Sequence, residues 1–141
     1  MKKIGTVELG RAGELRVASE LILRGFNPSL VLLDNGADII LENGTKIQVK
    51  TCGSLSKNNR CNKERYKFLL RRGDGKIKYT NECDYFILWC IDDNYFKVLP
   101  TEEAIKKSVW SINRGDFPET DWEILRKEGQ NGGQGNQRSQ G

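Results

Sequence analysis

Apolar residues near the start of the chain follow a helical spacing. Between Val7 and Arg24, Leu15, Ala18, Leu21 and Ile22 recur at three- and four-residue intervals. Arg11, Arg16, Glu20 and Arg24 fall largely off that stripe, which predicts an amphipathic helix. Gly25 is the natural stop, and Phe26 is placed to fold back on the helix end. After the Asn27-Pro28-Ser29 turn the period becomes that of extended chain. Leu30–Leu33 reads as a short strand closed by Asp34-Asn35-Gly36. Ala37–Leu41 and Thr45–Thr51 read as two strands joined through Glu42-Asn43-Gly44, a hairpin signal.

From Cys52 to Glu64 the pattern turns polar and aperiodic, predicting a long, functional loop. Tyr66–Arg72 and Lys76–Thr80 then bracket Gly73-Asp74-Gly75 as a second hairpin. Asp84–Ile91 is continuously apolar after its first residue and suits the central strand of a sheet. Asp92-Asp93-Asn94 turns it into a strand over Tyr95–Leu99. Pro100-Thr101 opens another helix, with Glu102 and Glu103 in its first turn. Beyond Trp110 only a short element near Trp122–Leu125 is expected, and 129–141, rich in Gly, Gln, Asn and Ser, predicts a disordered tail. This order predicts an α/β sandwich around a mixed sheet, as a single domain over residues 1–128.

Composition narrows the chemistry. The 141 residues include no histidine, so imidazole-dependent triads, His-ligated zinc and His proton shuttles are excluded. Any catalysis must use carboxylates, Lys, Tyr, Cys or a carboxylate-bound metal. The net charge is only +4, but residues 46–78 carry eleven basic side chains against Glu64 and Asp74, a balance of +9 that leaves −5 elsewhere. Such a split points to a polyanion, either nucleic acid or an anionic membrane surface. The longest apolar run, Tyr85–Ile91, is far too short to cross a bilayer, and no apolar stretch follows Lys2 and Lys3, so cytoplasmic residence is expected. Cys52, Cys61, Cys83 and Cys90 lack the spacing of a zinc knuckle and read as structural or incidental thiols.

The most informative stretch is Gly36-Ala37-Asp38-Ile39-Ile40 followed by Ile47-Gln48-Val49-Lys50-Thr51. An acid inside an apolar strand costs stability unless a cation or metal satisfies it. Gln48 and Lys50, two residues apart, share one face of the next strand. Asp38 joins them only if the hairpin has a three-residue loop with Gly44 left-handed, which pairs Leu41 with Thr45 and Asp38 with Gln48. A two-residue loop would turn Asp38 to the other face. On one face, the trio suits phosphodiester hydrolysis: carboxylate and amide oxygens hold Mg²⁺, and Lys50 orients water and offsets phosphate charge. Glu14, at the edge of the first helix's apolar stripe, is placed to reach the same metal from across the sheet. The plainer reading is an ordinary ion pair between neighbouring strands.

The Gly13-Glu14 helix ending at Gly25-Phe26, then Gly36-Ala37-Asp38, then Ile47-Gln48-Val49-Lys50-Thr51, resembles the PD-(D/E)XK nuclease superfamily. Cys83-Asp84-Tyr85-Phe86-Ile87-Leu88 and the Tyr95–Pro100 strand match its core, so the resemblance covers roughly residues 5 to 107. It is most similar to the group I intron-associated homing endonucleases, and next to archaeal Holliday junction resolvases. The resemblance implies a restriction-endonuclease-like α/β core, a mixed β-sheet flanked by helices. It implies Glu14 and Asp38 as metal-site acids, Gln48 where Asp or Glu is usual, and Lys50 as the catalytic lysine. Gln48 removes one negative charge but still offers a carbonyl oxygen, which gives Glu14 more weight.

The expected function is Mg²⁺-dependent, sequence-specific hydrolysis of double-stranded DNA. The alternatives are a junction resolvase and an inactive DNA-binding module. Lys57, Arg60, Lys63, Arg65, Lys67, Arg71, Arg72, Lys76 and Lys78 are the candidate DNA contacts. Because cutting two strands needs two sites, a homodimer or homotetramer is expected.

Overall fold

The computed structural model describes residues 4–33, 36–53, 55–58, 60, 62–71 and 82–126. The first helix, α1 (Thr6–Leu23), forms where the periodicity places it and ends at Arg24, with Gly25 left-handed at φ +92°. Its buried face, however, is Gly13, Val17, Ala18 and Leu21. Leu15 and Ile22, expected in the stripe, are 51% and 61% exposed. Gly13 explains the rotation: lacking a side chain, it carries no apolar signal, yet it is where the helix sits closest to the sheet.

The strands are β1 (Ser29–Leu30), β2 (Ile39–Ile40), β3 (Lys46–Cys52), β4 (Leu55–Asn58), β5 (Lys63–Leu69), β6 (Tyr85–Cys90), β7 (Tyr95–Pro100) and β8 (Val109–Asn113). One mixed sheet has the order β1-β2-β3-β6-β7, with β3 and β6 parallel and the other pairs antiparallel. The apolar run expected at the centre is β6, an interior strand, while β3 occupies the middle. A second antiparallel sheet has the order β4-β5-β8.

Three expectations need correcting. The polar stretch from Cys52 is not one long loop, because β4 and the start of β5 lie within it and form a hairpin. The helix opened by Pro100-Thr101 is a single turn, α2 (Thr101–Ala104). The fading pattern past Trp110 hides β8, which pairs with β5. The short element near Trp122 is present as a 3₁₀ turn over Trp122–Arg126. The hairpin partner expected over Lys76–Thr80 and the tail expected over 129–141 lie outside the described residues.

Two cores separate three layers. Ile47, Val49, Ile87 and Phe96 face α1 and meet Val17, Leu21 and Trp122. Phe86, Leu88, Cys90 and Leu99 face the other way and meet Tyr66, Phe68, Leu70 and Ile112 of the second sheet. A polar clamp ties the layers together. The Tyr66 hydroxyl donates to Asp93 Oδ2 at 2.5 Å, and Arg114 donates to the same Asp93 oxygen at 2.9 Å and to Glu64 at 3.0 Å. Burial, reinforced by Asp93, pushes the Tyr66 hydroxyl far above its ordinary value, so it remains a donor at any physiological pH.

Candidate active site

The hairpin register settles where Asp38 stands. Ile39 lies opposite Ile47 and Ile40 opposite Lys46. Leu41 N–H donates to Thr45 O at 2.9 Å, and Gly44 is left-handed at φ +86°. This is the three-residue loop. The pairing stops at Ile39 and Ile47, so Asp38, the next residue, stands just outside the ladder, beside Gln48 and Val49.

At Asp38 the β2–β3 ladder gives way. Asp38 N–H donates to Ile47 O at 2.8 Å, but the Val49 N–H is taken by the Asp38 carboxylate, Oδ2, at 2.8 Å. A side chain thus replaces the backbone carbonyl that would have continued the strand. This charge-assisted bond, of a class that contributes about 1.5–3 kcal/mol, fixes the carboxylate at the fork where β2 leaves β3. Beyond the fork β3 runs on to Cys52 paired, among the described strands, only with β6, and its other edge borders a cleft.

That cleft, about 380 Å³, is lined by Thr6, Leu9, Gly10 and Glu14 of α1, by Asp38, and by Gln48–Thr51 of β3. It brings together all four residues singled out from the sequence as the candidate centre. Gln48 and Lys50 share the face of β3 that carries their β6 neighbours Phe86 and Leu88 toward the second sheet. Glu14 approaches from α1 on the opposite face, so the residues meet at the sheet edge. The Glu14 carboxylate is 21% exposed and held by Arg11 at 3.0 Å. What lets α1 come near enough is Gly13: a Cβ there would stand 1.8 Å from Thr51 Oγ1.

Gln48 is 7% exposed, and its Oε1 is buried with no hydrogen-bond partner among the described residues. A buried carbonyl oxygen left without a donor is costly, and a hard cation is one of the partners that satisfies it. Among the described residues no three Cys, Asp or Glu side chains form a metal cluster. The donor set here is instead mixed, two carboxylates and an amide oxygen, which suits Mg²⁺ with water and phosphate completing the shell. The residues therefore fit the ion.

A larger groove of about 430 Å³ lies beside the end of α1, bounded by Phe96, Phe117 and Trp122. Its Glu20 is bonded by both Arg16 and Arg24, so its charges are already spent. Among the described residues the cysteines form no metal cluster, and Cys61 lies outside those residues. No described helix is long and apolar enough to cross a membrane.

Of the candidate DNA contacts, Lys57, Arg60, Lys63 and Lys67 are exposed and Arg65 is half-buried on the second sheet and its turn. Arg71 is half-buried and donates to Ile105 O at 3.2 Å. Arg72, Lys76 and Lys78 lie outside the described residues. Sequence reasoning missed Thr51, the contact of Gly13, and the whole of β8. The alternation Trp110-Ser111-Ile112-Asn113 was the available signal for that strand.

The chain shares its architecture with a bacterial homing endonuclease. That protein is I-Ssp6803I, matched with a TM-score of 0.62 at 20% sequence identity over 84% of this chain and 79% of the other. No family model matches the chain, and no curated protein does.

Proposed function

We propose that this protein is a metal-dependent DNA endonuclease of the PD-(D/E)XK type, cutting double-stranded DNA at a specific sequence. The observation that carries the reading is the cleft at the β2–β3 fork. Two carboxylates, an unsatisfied buried amide oxygen and a lysine meet there, on a fold shared with a homing endonuclease. Asp38, Gln48 and Glu14 would hold Mg²⁺. When bound, that ion stabilises the charge developing on a phosphodiester and lowers the pKa of water. Lys50 supplies a positive charge beside the scissile phosphate and a donor that orients the attacking water. Asp38, pinned by the Val49 N–H, needs little reorganisation on binding.

Lys63, Arg65 and Lys67 share one face of β5 and make the phosphate-facing surface on this reading, with Lys57 and Arg60 as further phosphate contacts at its margin. Two cuts require two sites, and the surface supports self-association. Leu15, Ile22, Leu23, Leu30, Leu32 and Leu33 are all exposed, Leu32 and Leu33 at 90% and 77%, on α1 and around β1. A homodimer or homotetramer joined through this row is the expected assembly.

The test is cleavage of a random-sequence duplex library and of a four-way junction, in Mg²⁺ and in EDTA. The reading expects sequence-restricted cutting of linear duplex in Mg²⁺, lost in Asp38→Ala and Lys50→Ala. Preferential cutting of junctions whatever their sequence would make it a resolvase. Salt-dependent binding without turnover would make it an inactive binding module.

A further inference from the structure

The second sheet has one face in the core and one face turned out. Tyr66, Phe68 and Leu70 point inward from β5, as do Trp110 and Ile112 from β8. The alternate residues therefore project outward. Their register is given by the pairings Ser56 with Arg65, Arg65 with Asn113, and Lys67 with Ser111. Lys63 stands on the same side of β5.

This outward face is chemically unlike the rest of the surface. Five arginines elsewhere are neutralised within the fold: Arg11, Arg16, Arg24, Arg114 and Arg126 each pair with a carboxylate at 2.9–3.0 Å. The outward face carries Lys63, Arg65 and Lys67 and no acid among the described residues, since Glu64 points to the other side and binds Arg114. Ser56 Oγ and Arg65 Nε are cross-strand neighbours, both buried without a hydrogen-bond partner among the described residues. Donors and acceptors on this face are thus left unspent by folding.

Its dimensions fit a DNA groove. The adjacent strands β5 and β8, about 4.8 Å apart, form a two-stranded ribbon of the kind a major groove about 12 Å wide admits. Position fits as well. Ser56 follows Lys50 by six residues, a reach of at most about 21 Å, or about six base pairs.

We infer that the outward face of the β4-β5-β8 sheet enters the major groove and reads base edges, with Arg65 and Asn113 as the paired reading residues. This rests on the nuclease reading above and goes beyond it by assigning specificity to a strand, β8, outside the basic segment. Arg65 offers the planar two-donor fork that matches guanine, and Asn113 the amide that matches adenine. Cross-strand neighbours about 5 Å apart meet adjacent or overlapping base pairs. Lys63 and Lys67 flank them and hold phosphates, contributing affinity without sequence preference.

The experiment is selection of bound duplexes from a pool with a random 20-base-pair centre, using the full chain with Ca²⁺ in place of Mg²⁺ to suppress cutting, followed by sequencing. Arg65→Lys keeps the charge and loses the fork, and Asn113→Ala removes the amide. Each is expected to relax the selected base about tenfold or more at one or two adjacent positions and to leave the rest of the motif intact. Lys67→Ala should weaken binding to all sequences alike and reduce the salt slope by about one. Unchanged thermal melting shows that each variant folds. A motif unaltered by both Arg65→Lys and Asn113→Ala, or a pool bound with no motif, overturns the inference and leaves the nuclease reading standing. A motif that shifts as expected in a protein that never cuts DNA in Mg²⁺ overturns the nuclease reading and upholds the reading face.

Discussion

Helix propensity and the structure make opposite predictions for Gly13→Ala. In the middle of an exposed helix this change stabilises by up to about 1 kcal/mol, because alanine costs less backbone entropy. Here the new Cβ would stand 1.8 Å from Thr51 Oγ1, 3.0 Å from Thr51 Cβ and 3.4 Å from Cγ2. Rotating the threonine relieves the first contact but not the second, so α1 must move off β3 by several tenths of an ångström. Overpacking of this kind costs about 1–3 kcal/mol. Set against the propensity gain, the expected net loss is about 1 kcal/mol, a fall in Tm of about 3–5 °C.

The displacement also carries Glu14, the next residue, away from Asp38 and Gln48. A misplacement approaching 1 Å is expected to slow cleavage by about a hundredfold. Denaturant unfolding of Gly13→Ala, Thr51→Ala and the double variant reads the coupling directly. Thr51→Ala removes a buried hydroxyl that has no partner among the described residues, so alone it should be nearly neutral. In the double variant the Oγ1 and Cγ2 contacts are gone but the 3.0 Å approach to Cβ remains, so only part of the loss should disappear. If Gly13→Ala stabilises the protein, or if the two changes simply add, the close approach of α1 to β3 is wrong.

Other outcomes follow from single groups. Gln48→Leu should raise the unfolding free energy measured in urea without Mg²⁺ by about 1 kcal/mol, while abolishing both cleavage and the rise in Tm that Mg²⁺ gives the wild type. The hydrogen bond from the Tyr66 hydroxyl is the largest effect on the Asp93 carboxyl; burial opposes it, and Arg114 adds to it, so the carboxyl is held below its ordinary value. Stability from this depression is fully present above about pH 4 and is lost as pH falls through the folded value. Asp93→Asn should therefore be less stable than wild type in urea melts at pH 7, and the gap should narrow toward pH 3. Burial pushes the Cys90 thiol up to about 12 and Cys83 to about 11. Alkylation of the native protein at pH 8, mapped by peptide mass, should thus label the half-buried Cys52 well before either.

The sequence was most legible where chemistry and geometry coincide at short range. The Glu42-Asn43-Gly44 loop, with its left-handed glycine, set the register of β2 on β3, which brings Asp38 to the edge of the ladder beside Gln48. The long helix and the apolar strand β6 were visible for the same reason, a single unbroken period. Legibility failed where tertiary pairing made the element. The strand β4 is polar, and becomes a strand only because Leu55–Asn58 finds Lys63–Tyr66. The strand β8 is short, and its alternation is masked by the exposed Val109. The face of α1 was misjudged because Gly13, the closest point of contact, has no hydrophobicity to count. Within the site, identities were readable, but the replacement of a ladder carbonyl by the Asp38 carboxylate was not, since no spacing encodes it.

The central claim is that the fork between β2 and β3 hydrolyses DNA with a divalent ion. The most direct test is a single-turnover chase: protein bound to its selected duplex without divalent metal, then mixed with Mg²⁺. The account predicts cleavage of both strands on mixing in the wild type. It predicts intact DNA for Asp38→Ala and at least a hundredfold slower cutting for Lys50→Ala, with binding retained in both. Cleavage that proceeds at the wild-type rate in Asp38→Ala, or before the ion is added, would contradict it.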